Sequence, residues 1–167
     1  RIMADKDNHV WVTTRRSTSV QSGIYGLDFG GTPDNTADDR GVFRSAAINE
    51  DGTKCELLEI KDICQDLTGQ IWFGCASGVY AVENPESWFK TSAFSVYQPK
   101  VPRNDGTNYA DYLLTGIDVT ALVVDQGNRK WLGTFGSGVY LASPDGSEVL
   151  EHFTADNSPL LSDNIYS

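Results

Sequence analysis

The chain has 167 residues, 40% of them apolar and 11% aromatic, which suits a folded domain with a core and not a disordered tail. Its 13 basic and 23 acidic residues leave a formal charge of -10, which repels a phosphate backbone and an anionic membrane surface alike. No apolar run reaches the roughly 20 residues that a bilayer crossing takes, and nothing at Arg1 reads as a signal peptide or an initiating Met, so an excised or processed piece is expected.

In chain order, Asp5-Lys6-Asp7-Asn8-His9 predicts a tight turn and Val10-Trp11-Val12-Thr13-Thr14 a strand. Arg15–Gln21 is an insert, and Ser22-Gly23-Ile24-Tyr25 opens the next strand; Phe29–Gly41 is a Gly/Asp-rich loop. The pattern returns as the turn Asp66-Leu67-Thr68-Gly69-Gln70, the strand Ile71-Trp72-Phe73-Gly74-Cys75 and then Ser77-Gly78-Val79-Tyr80. Asn84-Pro85-Glu86-Ser87 is a helix start or turn, so Trp88 falls outside the pattern and should matter less to stability than Trp72. Phe94–Tyr97 is a candidate outer strand, and Pro99–Tyr112 is a second long insert.

The third occurrence begins with Val119–Val124, an apolar stretch read as an inner strand buried on both faces. It continues with the turn Asp125-Gln126-Gly127-Asn128-Arg129, the strand Lys130-Trp131-Leu132-Gly133-Thr134, then Ser137-Gly138-Val139-Tyr140, and the outer-strand candidate Val149–Phe153. In the tail, Leu160-Leu161 ahead of Ile165 parallels Leu113-Leu114 ahead of Val119, so 158–167 is expected to be the lead strand of a next unit.

In every copy Asp precedes Trp by six positions, and the tryptophans stand 61 and 59 residues apart, using three of the four in the chain. The repeated residues, Asp5, Trp11 and Gly23, then Asp66, Trp72 and Gly78, then Asp125, Trp131 and Gly138, follow the repeat and so mark architecture: turn, inter-sheet packing and strand entry. Four short antiparallel strands per repeat with one fixed aromatic is the signature of a propeller blade. The expected fold is all-β, a β-propeller fragment of about three four-stranded antiparallel blades of a larger ring, with blade motifs about 1–50, 57–99 and 113–157. Blades ordinarily take roughly 40 to 50 residues, so a period near 60 places the excess in the inserts, where binding functions usually sit.

The sequence Asp125-Gln126-Gly127-Asn128-Arg129-Lys130-Trp131-Leu132-Gly133-Thr134, the Ser-Gly-Val-Tyr that follows, and the tail Phe153-Thr154 to Asn157-Ser158-Pro159-Leu160-Leu161 resemble the two-component regulator propeller repeat typical of Bacteroidetes. The resemblance covers essentially the whole chain. Copy one departs from it with Thr13 where the others have Gly74 and Gly133. The resemblance implies either the periplasmic sensor half of a hybrid two-component system or a PorZ-type surface protein of type IX secretion, the latter looking closer. It thereby implies an extracytoplasmic place.

For chemistry, His9 and His152 sit beside no nucleophile motif, and no catalytic role is assigned to either. Asp34, Asn35, Asp38 and Asp39 form an oxygen-rich cluster without the alternation of a calcium loop, and are read as a solvated acidic loop. Cys55, Cys64 and Cys75 have no metal-type spacing; they read as small core residues, with a Cys64–Cys75 disulfide left open. No cofactor or metal is expected. Arg15, Arg16, Arg103, Tyr109 and Tyr112 offer cations and aromatic faces on inserts and are the candidate ligand-binding residues. The leading reading is a non-catalytic recognition module for a glycan, glycolipid or partner protein, with the remaining blades of a parent chain or another copy as further partners. A propeller-based carbohydrate-active enzyme and a purely structural scaffold are the alternatives.

Overall fold

In the computed structural model, the description covers residues 1–14, 21–32, 34–90 and 94–166. A first antiparallel sheet is formed in order by β1 (Ile2–Ala4), β2 (Val10–Thr14), β3 (Gly23–Asp28) and β4 (Arg40–Arg44). Next come the hairpin β5 (Ala46–Asn49) and β6 (Lys54–Glu56), then a second sheet of β7 (Asp62–Gln65), β8 (Ile71–Cys75) and β9 (Gly78–Val82). One helical turn, α1 (Ser87–Lys90), leads to β10 (Ser95–Val96), and the insert folds as a hairpin of β11 (Lys100–Pro102) and β12 (Ala110–Tyr112). A third sheet orders β13 (Val119–Val124), β14 (Lys130–Thr134), β15 (Val139–Ala142) and β16 (Val149–Phe153). No helix among the described residues is long and apolar enough to cross a membrane.

The six-residue spacing has a direct physical cause. One carboxylate oxygen of Asp5 accepts the amides of Asp7 and His9, both at 2.9 Å, while the other accepts the Trp11 indole N–H at 2.9 Å. Asp66 does the same for Thr68, Gln70 and Trp72, and Asp125 for Gly127, Arg129 and Trp131. The residue three places after the Asp has positive φ in every copy, 66° at Asn8, 95° at Gly69 and 61° at Asn128, which Asn and Gly tolerate best. Each Asp thus closes a turn and fixes a tryptophan at once.

Side chains alternate across a strand, and the sheets use both faces. The Trp11 face of the first sheet, with Ile24, packs on Ile63, Ile71, Phe73 and Tyr80 of the second. The Trp72 face of the second, with Val79 and Ala81, packs on Leu122, Leu132 and Ala142 of the third. Asp62 ties the stack together, accepting the Leu122 amide at 2.9 Å and pairing with Arg1 at 3.1 Å. The repeated glycines are needed for close approach: a Cβ on Gly138 (φ 72°) would strike the Phe153 carbonyl, and one on Gly23 the Arg44 carbonyl.

The architecture is all-β and antiparallel as expected, with several departures. The middle sheet has three named strands; its fourth position is held by Tyr97, bridged to Ala81, while β10 pairs in parallel with β5 and so closes off that edge. Val123 is 61% exposed, so β13 is not buried on both faces, because nothing described packs over that side of the third sheet. Trp131 is only half-buried for the same reason. Residues 158–166 form no strand; Asn164 makes a single bridge to Phe135, although Ile165 packs against Gly133 as Val119 packs against Gly74. Trp88, expected to matter less than Trp72, is fully buried, edge-on to Trp11 (5.2 Å) and Phe94 (4.8 Å), and donates its indole N–H to the Val42 carbonyl. It fills the first core beside Trp11, so it belongs to the packing although it lies outside the repeat.

Candidate functional site

The insert after the second sheet carries the described candidates. Within the β11–β12 register, Lys100 faces Tyr112, Val101 faces Asp111 and Pro102 faces Ala110. Arg103 grips Asp111 with two bonds, at 2.7 and 2.6 Å, and lies 5.8 Å from the Tyr109 ring, which is 69% exposed. That pairing raises the Arg103 pKa and lowers that of Asp111. Tyr112 points elsewhere: its hydroxyl donates to Asp51 and accepts from Asn49, and the Lys100 ammonium lies 5.4 Å from its ring. Lys100 also bonds Asp51 at 2.8 Å, and together with the Tyr112 hydroxyl it holds that carboxyl below its usual range. Arg103 and Tyr109 therefore form one exposed cluster, while Tyr112 anchors the hairpin base to the β5–β6 turn. Arg15 and Arg16 lie outside the described residues.

The other sequence candidates are absorbed by structure. His9 is buried, its Nδ1 2.8 Å from Asp5 and its Nε2 3.2 Å from Glu86. His152 stacks on Tyr140 at 3.9 Å with Nε2 2.7 Å from the Ser137 carbonyl. In the acidic loop, Asp38 accepts from the Thr32 hydroxyl and Asn35 from the Ala37 amide, and no metal-holding group of His, Cys, Asp and Glu occurs among the described residues. The three thiols are free, so the Cys64–Cys75 pairing is not made. Cys64 lies opposite Trp72 and Cys75 opposite Gly78 in the strand register. Burial pushes all three thiol pKa values up, that of Cys64 to about 12.

Lys130 carries an interaction that the sequence reading passed over. Its side chain is 0% exposed and its ammonium sits 2.9 Å from Asp66, 4.5 Å from the centre of the Trp72 ring, and within hydrogen-bond reach of the Asn128 and Pro144 carbonyls. Burial would raise the Asp66 pKa, but the bonds from Lys130 and Thr68 outweigh it and bring the carboxyl to about 2. The signal was present: Val10 and Ile71 occupy the slot before Trp in the other copies, so a lysine there is a charge in an apolar position. Asn128 adds a further tie, accepting the Leu67 amide at 2.8 Å.

Compared with solved structures, 99% of the chain superposes on PorZ, described as an essential bacterial surface component of the type-IX secretion system of Porphyromonas gingivalis, with 31% identity and a TM-score of 0.88. The chain is similar to PorZ throughout. It spans 22% of that PorZ chain, and the resemblance carried by the three repeats holds in three dimensions. The extracellular domain of the putative hybrid two component system BT3049 from B. thetaiotaomicron aligns with 98% of the chain and 29% of its own, at 16% identity and a TM-score of 0.30, too low to bear on the fold. No protein-family model and no curated protein matches the chain.

Proposed function

We propose that the three sheets are consecutive blades of a β-propeller, and that this segment belongs to a non-catalytic, extracytoplasmic recognition module acting as a PorZ-like secretion component. The observation that carries this is the likeness to PorZ over 99% of the chain at 31% identity. The non-catalytic reading is supported by the histidines, each engaged in architecture. The partner we favour is a protein. Arg103 already spends its guanidinium on Asp111, so it is poorly placed to neutralise an acidic sugar, whereas the exposed Tyr109 beside it suits the aromatic-plus-Arg anchor of a protein interface.

The test replaces Tyr109 and Arg103 by Ser in the parent protein and follows cargo release at the surface of its native host. Loss of cargo release, with the protein still folded and present, is the expected result. Undiminished release would overturn the assignment of the hairpin. Retention of both variants on immobilised glycan, with wild-type binding to it abolished by neither change, would remove the glycan from consideration at this hairpin.

A further inference from the structure

The first sheet shows how this repeat answers a carboxylate at the end of its third strand. Asp28 closes β3 five residues after Gly23, and Arg40, opposite it on β4, bonds it directly with its guanidinium 5.7 Å from the Phe89 ring. Glu83 holds the same place in the second sheet, five residues after Gly78. Carrying the Ala81–Tyr97 bridge two residues outward sets Ser95 opposite Glu83, where the first sheet has Arg40. The carboxylate is kept and the cation is not. Glu83 is exposed and makes no ion pair among the described residues.

Glu83 lines a cleft of about 350 Å³ between the second and third sheets, with Gln70, Asn128 and Asp145 as further polar walls and the flat rings of Tyr97 and Pro144 as apolar ones. Its floor is neutral. The Lys130 ammonium there gives its three protons to Asp66 and to the Asn128 and Pro144 carbonyls, so it has none left for an anion. Asp145 takes the Ser143 hydroxyl and both the amide and hydroxyl of Ser147 on one oxygen, which holds its carboxyl below the usual range and leaves its second oxygen for another donor. The Tyr97 hydroxyl has no bond to a described residue; burial, and after it Asp145, Glu50 and Glu83, push its pKa up. Lys100 acts the other way on Tyr97 but is itself committed to Asp51. Negative charge in the cleft is therefore left unanswered.

We infer that this cleft receives an arginine side chain from a protein partner, its guanidinium donating to Glu83 and Asp145 beside the Tyr97 ring, as Arg40 donates to Asp28 beside Phe89 in the first sheet. Arginine suits the walls better than lysine, because a planar guanidinium stacks on a ring while donating to carboxylates in its own plane. The inference rests on the partner being a protein, as proposed above, and not on what the hairpin tip contacts.

Saturation-transfer NMR of the parent protein tests it, with acetyl-Gly-Arg-Gly-amide as the probe and the citrulline peptide, which keeps the shape and loses the charge, beside it. Saturation should reach the arginine δ-methylene and not that of citrulline. Glu83→Lys, at an exposed side chain, should abolish the signal by supplying the missing cation. Asp145→Asn keeps an oxygen for the Ser143 and Ser147 bonds and should weaken binding about tenfold or more, the loss of one charged hydrogen bond. Asp34→Asn with Asp156→Asn changes the net charge as much as Glu83→Lys does, at exposed positions elsewhere, and should leave the signal intact. Equal saturation of the two peptides, a signal that survives Glu83→Lys, or an equal loss in the Asp34 and Asp156 control would each overturn the inference. The readout contains no cargo, so failure here leaves the hairpin assignment standing, and undiminished cargo release in the hairpin variants leaves this cleft standing.

Discussion

Replacing Lys130 by Met keeps the length and apolar stem of the side chain and removes only its ammonium. That leaves Asp66, with 1% of its side chain exposed, as a buried carboxylate without a cation. Breaking one side of a buried pair costs on the order of 3 to 5 kcal/mol. The folded-state carboxyl gives an independent measure of the coupling: it lies at about 2 against an ordinary 3.8, a difference worth about 2 kcal/mol of stability at neutral pH. Because that pKa is depressed, the contribution is fully present above about pH 3.8 and is lost as pH falls toward 2. In Lys130→Met the ammonium's share of that depression is gone while the Thr68 and Gln70 bonds remain, so the Asp66 pKa should rise from about 2. The gap between variant and wild type should therefore narrow as pH is lowered from 7 to about 3. Urea unfolding followed by tryptophan fluorescence at both pH values reads this directly, through the midpoint. A midpoint for Lys130→Met within error of wild type at pH 7, or a gap that widens on acidification, would refute the role given to this ion pair.

Trp88→Ala should cost about 3 to 5 kcal/mol, as much as Trp72→Ala, since both are fully buried; urea midpoints of the two variants compare them. Gly138→Ala should destabilise by more than about 1 kcal/mol, because its φ of 72° and the Phe153 carbonyl both oppose a Cβ; thermal unfolding with Gly127→Ala as the permissive control measures it. All three cysteines should resist iodoacetamide at pH 8 in the folded chain and react in urea, since burial holds their thiols protonated; mass spectrometry counts the adducts.

The repeat made the sheets legible before any coordinates, because Asp and Trp six apart encode a bond that any reader of the pattern can locate. Positions that break the pattern were harder. Trp88 sits after a turn signal in a four-residue helix, where local propensity says nothing about which core its ring enters. The parallel pairing of β10 with β5 joins segments nearly fifty positions apart, which strand periodicity does not specify, and the local hairpin of residues 46–56 that receives it lies outside the repeat. In the candidate site, the meeting of Arg103 with Tyr109 follows from the hairpin register, but the bidentate hold of Asp111 on Arg103 is a matter of side-chain geometry.

The three Asp–Trp nodes also explain how a repeat can diverge without losing its structure. Each carboxylate is held in a turn beside an indole, and in each a group able to carry positive charge lies against it: His9 at 2.8 Å for Asp5, Lys130 at 2.9 Å for Asp66 and Arg129 at 2.8 Å for Asp125. In the first and third copies that group stands four residues after the Asp, within the same turn. In the second, the equivalent residue is Gln70, which bears no charge, and the cation arrives from the neighbouring sheet. A partner beside the carboxylate is therefore constant, while its source moves between the local turn and the next sheet. Where the source is local, a sheet is electrostatically complete by itself. Where it is borrowed, folding of one sheet is coupled to docking of the next, so the junction between the second and third sheets should be the one that opens only with global unfolding. Amide exchange of the Trp72 and Leu132 backbone groups should then proceed at the global rate, and faster, local exchange at these two would contradict the coupling.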